Sequence, residues 1–242
     1  HMARLGRSIT AAGGTADAYR AAGGVIMVNK MEIMEAEKMS PQDTFRFRCD
    51  SCGKCCRNRG DILLNPHDIV RMQKYLELSL KEILDIYCEA YIGESSRVPI
   101  VRLRHAAVCV FLMHGKCLIQ EAKPSVCVLY PLGRITEVGK TDVKYFLQDV
   151  GCGKRDRENH VADWLRNLGE DHEECACIWY SLIGEASDFM RDLPKGAGLQ
   201  NLQEALFGLL YDGYDCDSPL APQLRGRLDA FRRFFRKPEG GC

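Results

Sequence analysis

The sequence has no run approaching the roughly 20 apolar residues that a membrane-spanning helix needs. Its N-terminus lacks the basic, apolar and small-residue order of a secretory signal. The chain therefore reads as soluble and cytoplasmic, with no membrane partner. It also lacks a dominant charge: 33 Lys and Arg balance 33 Asp and Glu, so no overall field steers it toward nucleic acid. There is no Gly-rich phosphate loop, no GxSxG elbow and no HExxH, and no GxGxxG opens a βαβ unit. These absences argue against a conventional Rossmann cofactor site and against the commonest hydrolase and zinc-protease arrangements.

What the chain has in quantity is cysteine, 13 in 242 residues. In a reducing compartment, clustered thiols point to metal or redox chemistry rather than to structural disulfides, and the odd count rules out complete pairing. Four of them, Cys49, Cys52, Cys55 and Cys56, fall within eight positions of FRFRCDSCGKCCRNRG (45–60).

At 46% apolar content the chain can bury a sizeable core. Its expected organisation is a flexible extension over 1–40, a cysteine-cluster metal-binding domain over 41–192 and a helical C-terminal extension over 193–242. The first segment begins with His1-Met2, which reads as a cloning scar, and repeats AAGG at 11–14 and 21–24, with little to bury.

Asn65 as a cap, Pro66 at the first helical position and Asp68 in the first turn predict a helix through Leu76. Ser79 and Glu82 have the spacing of a capping box. Leu80, Ile83, Leu84, Tyr87 and Tyr91 follow it at helical period, which places Cys88 inside that helix as a core thiol. VPIVRLRH (98–105), RITEV (134–138) and VKYFLQDV (143–150) predict short strands of a small antiparallel sheet, with Gly139-Lys140 as a turn. Helices are expected at about 159–168, 174–191, 199–210 and 220–235. In the last, Leu220, Leu224, Leu228, Phe231 and Phe235 share a stripe, while Arg225, Arg232, Arg233 and Arg236 lie largely outside it and read as a solvated face. The fold class is α+β, with metal-binding loops and a helical second half.

CxxC turns let the backbone bend around a small cation or cluster, and Cys49, Cys52 and Cys55 form two that overlap. Gly53 lies within the second turn, where positive φ lets amides face sulfur; a wrapped loop is expected rather than a helix face. Adjacent side chains diverge in most backbone conformations, so Cys55 and Cys56 are expected to serve different sites. Later partners are available: Cys109 and Cys117 flank the FLMHG hairpin, Cys127 follows KPSV, and Cys152 lies in GCG. Eight thiolates divide into two four-sulfur sites, as iron-sulfur clusters or as zincs, and one cluster with spare thiols is the alternative. Arg46, Arg48, Lys54, Arg57 and Arg59, against Asp50, either offset thiolate charge or form a solvated loop.

In order along the chain, CDSCGKCC (49–56), NPHDIVRM (65–72), CVFLMHGKCLI (109–119), KPSVCVLYPL (123–132) and GCGK (151–154) resemble the YkgJ-type CxxCxxCC cysteine-cluster family. The resemblance spans about 45–154 and extends more loosely to the DWL at 163–165 and to Trp179. The family is described as zinc- or iron-chelating. The resemblance implies that Cys49, Cys52, Cys55, Cys56, Cys109, Cys117, Cys127 and Cys152 form an eight-cysteine metal site. It also implies that some members are enzymes, since flagellin lysine methylases are among them. The chain departs from the pattern at Val110, where proline is usual, and in VLYP, where many relatives have an arginine-containing RxFP; the second change puts a shared phosphate or substrate contact in doubt.

Cys175 and Cys177, beside His172, Glu173 and Glu174, form a second tier of candidate ligands, although residues two apart on a helix face different ways. His67 and His114 read as neighbours of ligands rather than ligands, and Cys216 and Cys242 have no partner spacing. The leading expectation is an iron-sulfur protein with two 4Fe-4S centres, serving electron transfer or redox chemistry with a redox partner protein or a small-molecule substrate. A non-catalytic zinc or metal-handling module is one rival. A cluster-containing transferase, such as a protein lysine methylase, is another.

Overall fold

The computed structural model describes residues 10–11, 36–57, 62–136, 139, 141–194, 196 and 198–235. Most of the N-terminal extension, Arg59, Lys140, Arg236 and Cys242 lie outside the described residues. The architecture is α+β, with small sheets and a helical C-terminal half. Among the described residues no helix is long and apolar enough to cross a membrane.

The largest sheet has the order β1 (Thr10–Ala11), β4 (Cys88–Ile92), β5 (Pro99–Leu103), β3 (Leu63–Leu64). Its β4–β5 and β3–β5 pairs are antiparallel, and β1 runs parallel to β4. Three two-stranded units complete the strands. These are β2 (Thr44–Arg48) with β10 (Lys154–His160), the hairpin β6 (Leu112–Met113) with β7 (Lys116–Cys117), and β8 (Leu132–Thr136) with β9 (Val143–Leu147).

Two helices start where capping chemistry predicts. A single turn, α1 (Lys54–Arg57), is followed by α2 (Pro66–Leu76) and α3 (Leu80–Tyr87), each opened by a complete capping box, Asn65 with Asp68 and Ser79 with Glu82. The helix from Ser79 does not continue through Tyr91: it stops at Tyr87, and Cys88 begins β4, pairing with Leu103. The β5 ladder outcompetes the helical pattern there, while Cys88 remains buried, its thiol pushed up to about 12 mainly by burial.

After α4 (Ser125–Leu129) come α5 (Val161–Leu165), a 3₁₀ turn (Arg166–Leu168), α6 (His172–Asp192), α7 (Leu199–Tyr211) and α8 (Leu220–Phe234). Two apolar clusters form the interior. The first joins α2, β5, α6, α7 and α8 through residues such as Met72, Val101, Leu182, Leu210 and Leu224. The second joins β2, β8, β9 and α5 through Phe45, Phe47, Leu132, Tyr145 and Leu165. The arginine face of α8 is not wholly solvated: Arg225 pairs with Glu174 and Arg232 with Glu185, both on α6.

Candidate metal centre

The cysteine-bearing segments meet where the two apolar clusters adjoin. Cys109, Cys117 and Cys127 pack against the first cluster, and Tyr130 packs against the second. One pocket is lined by Cys55, Cys56, Cys109, Cys117 and Cys127, with Ile62, Leu103, Phe111 and Ile119 among its apolar walls.

Local geometry explains the convergence. Gly53 takes φ +68° and leads into α1. The expectation of a loop without helical character is therefore corrected. The Sγ atoms of Cys55 and Cys56, the two thiols expected to serve different sites, lie only 3.9 Å apart. Successive residues of a helical turn are rotated by about 100°, against about 180° in a strand, so both thiols can face one pocket.

The Cys109 N–H donates to the Cys56 carbonyl at 2.7 Å, which locks the hairpin segment beside α1. That hairpin turns tightly at His114 and Gly115, with φ +47° and +77°, the left-handed pair that a two-residue turn demands. Cys117 sits opposite Leu112. Cys127 is carried by α4, whose start is fixed by Asp68: its Oδ1 accepts from both the N–H and the hydroxyl of Ser125 at 2.6 Å.

Cys152 joins from the other side. Its Sγ hydrogen-bonds the Tyr130 hydroxyl at 3.1 Å and lies beside Cys52. Lys54 Nζ donates to the Gly151 carbonyl at 3.1 Å and Arg57 Nη1 to the Cys52 carbonyl at 2.8 Å. These two cations thus tie the cysteine loops together through their backbone. Arg48 pairs with Asp50 and Asp156.

Three thiols accept a hydrogen bond from the amide two residues on: Ser51 to Cys49 at 3.4 Å, Phe111 to Cys109 and Ile119 to Cys117. Such bonds favour the thiolate. Burial nevertheless pushes Cys109, Cys117 and Cys152 up, more than the amides and Tyr130 pull them down. Cys56 is the exception, held below the usual thiol range mainly by its hydrogen bond with Cys55.

All eight first-tier cysteines thus fall in this region, with Cys49 and Cys52 exposed at its edge and the other six half-buried. The second tier does not join them. Cys175 lies in the first apolar cluster, bonded to Asp171 Oδ2 at 3.5 Å, and Cys177 lies in the second. Neither lines the pocket. His67 is buried beside Asp171, while His114 is exposed at the hairpin tip. Tyr130 had no part in the sequence-based site; its placement three residues after Cys127 and next to Pro131 was the available signal.

Residues 48–152 match a known family model, CxxCxxCC, described as "Putative zinc- or iron-chelating domain". This stretch is similar to that family's domain. No curated protein and no solved structure matches the chain. The matched stretch contains every first-tier cysteine, and the description of the family it resembles makes zinc or iron the metal to fit. Soft thiols from separate loops around an apolar pocket suit either metal. Among the described residues, however, no group of three or more His, Cys, Asp or Glu is drawn close enough to enclose an ion. The donors are gathered without being closed on one point.

Proposed function

We propose that the chain is a cytoplasmic iron-sulfur protein. Cys49, Cys52, Cys55, Cys56, Cys109, Cys117, Cys127 and Cys152 hold two four-sulfur centres for electron transfer or cluster-dependent redox chemistry. A redox partner protein or a small molecule exchanges the electrons. The observation that carries this reading is five sulfurs on the wall of one pocket. A single tetrahedral ion takes four, and three further cysteines stand beside it.

The division that fits is Cys56, Cys109, Cys117 and Cys127 on the hairpin side, with Cys49, Cys52, Cys55 and Cys152 on the loop side. Clusters held by four thiolates supply one-electron transfer. The chain's own residues would set the conditions: Phe111, Ile62 and Ile119 keep water from the pocket, and the amides of Ser51, Phe111 and Ile119 meet thiolate charge. Tyr130 does the same for Cys152.

A zinc site is the second reading, favoured by one distance. Two thiolates on a tetrahedral ion with bonds of about 2.3 Å stand about 3.8 Å apart, close to the 3.9 Å between Cys55 and Cys56. In that case the metal contributes mainly folding energy.

Serine variants of the anaerobically reconstituted protein test the two-centre reading. Cys152→Ser and Cys117→Ser should each lose about half of the bound iron, from opposite centres, and the double variant nearly all. Complete loss in either single variant would mean one centre.

A further inference from the structure

Arg134 and Thr136 stand two apart on β8 and so project to one face of its hairpin with β9. Arg134 is only 3% exposed, and no carboxylate among the described residues forms an ion pair with it. Three buried polar atoms lack a protein partner: Arg134 Nε, Thr136 Oγ1 and, at the start of α6, His172 Nδ1. Tyr180, one helical stretch further along α6, places its hydroxyl within hydrogen-bonding reach of the Arg134 guanidinium.

The described carboxylates near this face make other contacts, and none forms an ion pair with Arg134. Glu173 Oε1 accepts from the Tyr145 hydroxyl at 2.5 Å, and Asp171 stands 4.0 Å from His67 Nε2 and accepts from Cys175. Asp68 is occupied by Ser125. A buried guanidinium that no described carboxylate pairs with is costly, and buried polar groups are ordinarily satisfied. A planar Arg fork flanked by two hydroxyls and an imidazole has the donors to surround an anionic oxygen group.

We propose that Arg134, Thr136, His172 and Tyr180 form a binding site for a small oxyanion, the carboxylate or phosphate group of a ligand. The site is separate from the thiol pocket, since none of the four lines that pocket, and it does not depend on which metal the cysteines hold. His172 and Tyr180 are half-buried as whole residues, whereas Arg134 is buried.

Calorimetric titration of the full metal-loaded chain with inorganic phosphate and, separately, acetate tests this at constant ionic strength set with chloride. One saturable site for at least one probe is expected; phosphate binding alone identifies a phosphoryl ligand and acetate binding alone a carboxylate. Arg134→Gln should weaken binding at least tenfold and Thr136→Val several-fold, with metal content and circular dichroism unchanged. No saturable binding of either probe, or unchanged affinity in Arg134→Gln, would overturn the proposal. If Arg134→Gln does not fold, Thr136→Val and His172→Gln decide, and unchanged affinity in both overturns it.

Discussion

Burial and hydrogen bonding pull Cys56 and Cys109 in opposite directions: the contact with Cys55 outweighs burial at Cys56, and burial outweighs the Phe111 amide at Cys109. Thiols of such unlike acidity so close together ease loss of the first protons when metal arrives, and later sulfurs follow under the metal's charge. Individual cysteines should therefore be unequal in a defined way. Cys52→Ser should lose metal and lower the melting temperature, whereas Cys216→Ser, outside the cluster, should do neither; equal metal content by elemental analysis would remove the ligand assignment. His172 offers a pH test. Burial is the main cause that lowers it from 6.5 to about 4, followed by Arg134. With the folded value depressed, the unfolded chain binds more protons between those values, so stability is lost as pH falls from 6.5 toward 4. The loss attributable to this residue is on the order of 3 kcal/mol. His172→Gln should flatten that limb of a urea-denaturation series, and an unchanged slope would contradict the buried, neutral imidazole.

Elements carry the cysteines into place, and Asp68 is the clearest link between them. One carboxylate caps α2 through Asn65 and fixes the start of α4, which presents Cys127. Asp68→Ala should cost about 3 kcal/mol, a lost cap plus buried bonds left unmade, and should weaken metal retention along with stability. Gly153 plays a similar part for Cys152. Its φ is +72°, and a Cβ there would stand 2.4 Å from the Phe47 ring and 2.8 Å from the Arg48 carbonyl oxygen. Gly153→Ala should cost about 3 kcal/mol in chemical denaturation. Much of this level was legible beforehand, because capping residues act locally: α2 and α3 begin where Asn65 and Ser79 indicate. Strand β10 was not legible. KRDRENH has no alternation, and the strand exists because Arg48, Arg46, Phe45 and Thr44 of β2 pair with it across more than a hundred residues. Cys88 was misplaced for the same reason, since a ladder with Leu103 is invisible to helical periodicity.

At the scale of the whole molecule, the cysteine cluster depends on helices remote from it in sequence. Leu206, Leu210 and Tyr211 of α7 and Leu224, Leu228 and Phe231 of α8 share one apolar cluster with Ile62, Leu103, Phe111 and Ile119, which wall the thiol pocket. The Tyr211 hydroxyl also accepts from the Val101 N–H at 3.4 Å. A chain ended after Asp192 should expose that face, aggregate and fail to hold metal; a soluble, fully loaded truncation would show that the pocket stands without α7 and α8. Five of the eight expected cysteines, Cys55, Cys56, Cys109, Cys117 and Cys127, line one pocket. How they gather was not readable from the sequence, because the closeness of Cys55 and Cys56 depends on one helical turn, and the apolar walls come from distant parts of the fold. The central claim is that these sulfurs hold iron-sulfur centres. Anaerobic purification followed by iron, zinc and acid-labile sulfide analysis, with a visible spectrum, tests it most directly. The account predicts a brown protein with iron and sulfide in near-equal amounts. A colourless protein containing stoichiometric zinc and no sulfide would contradict it.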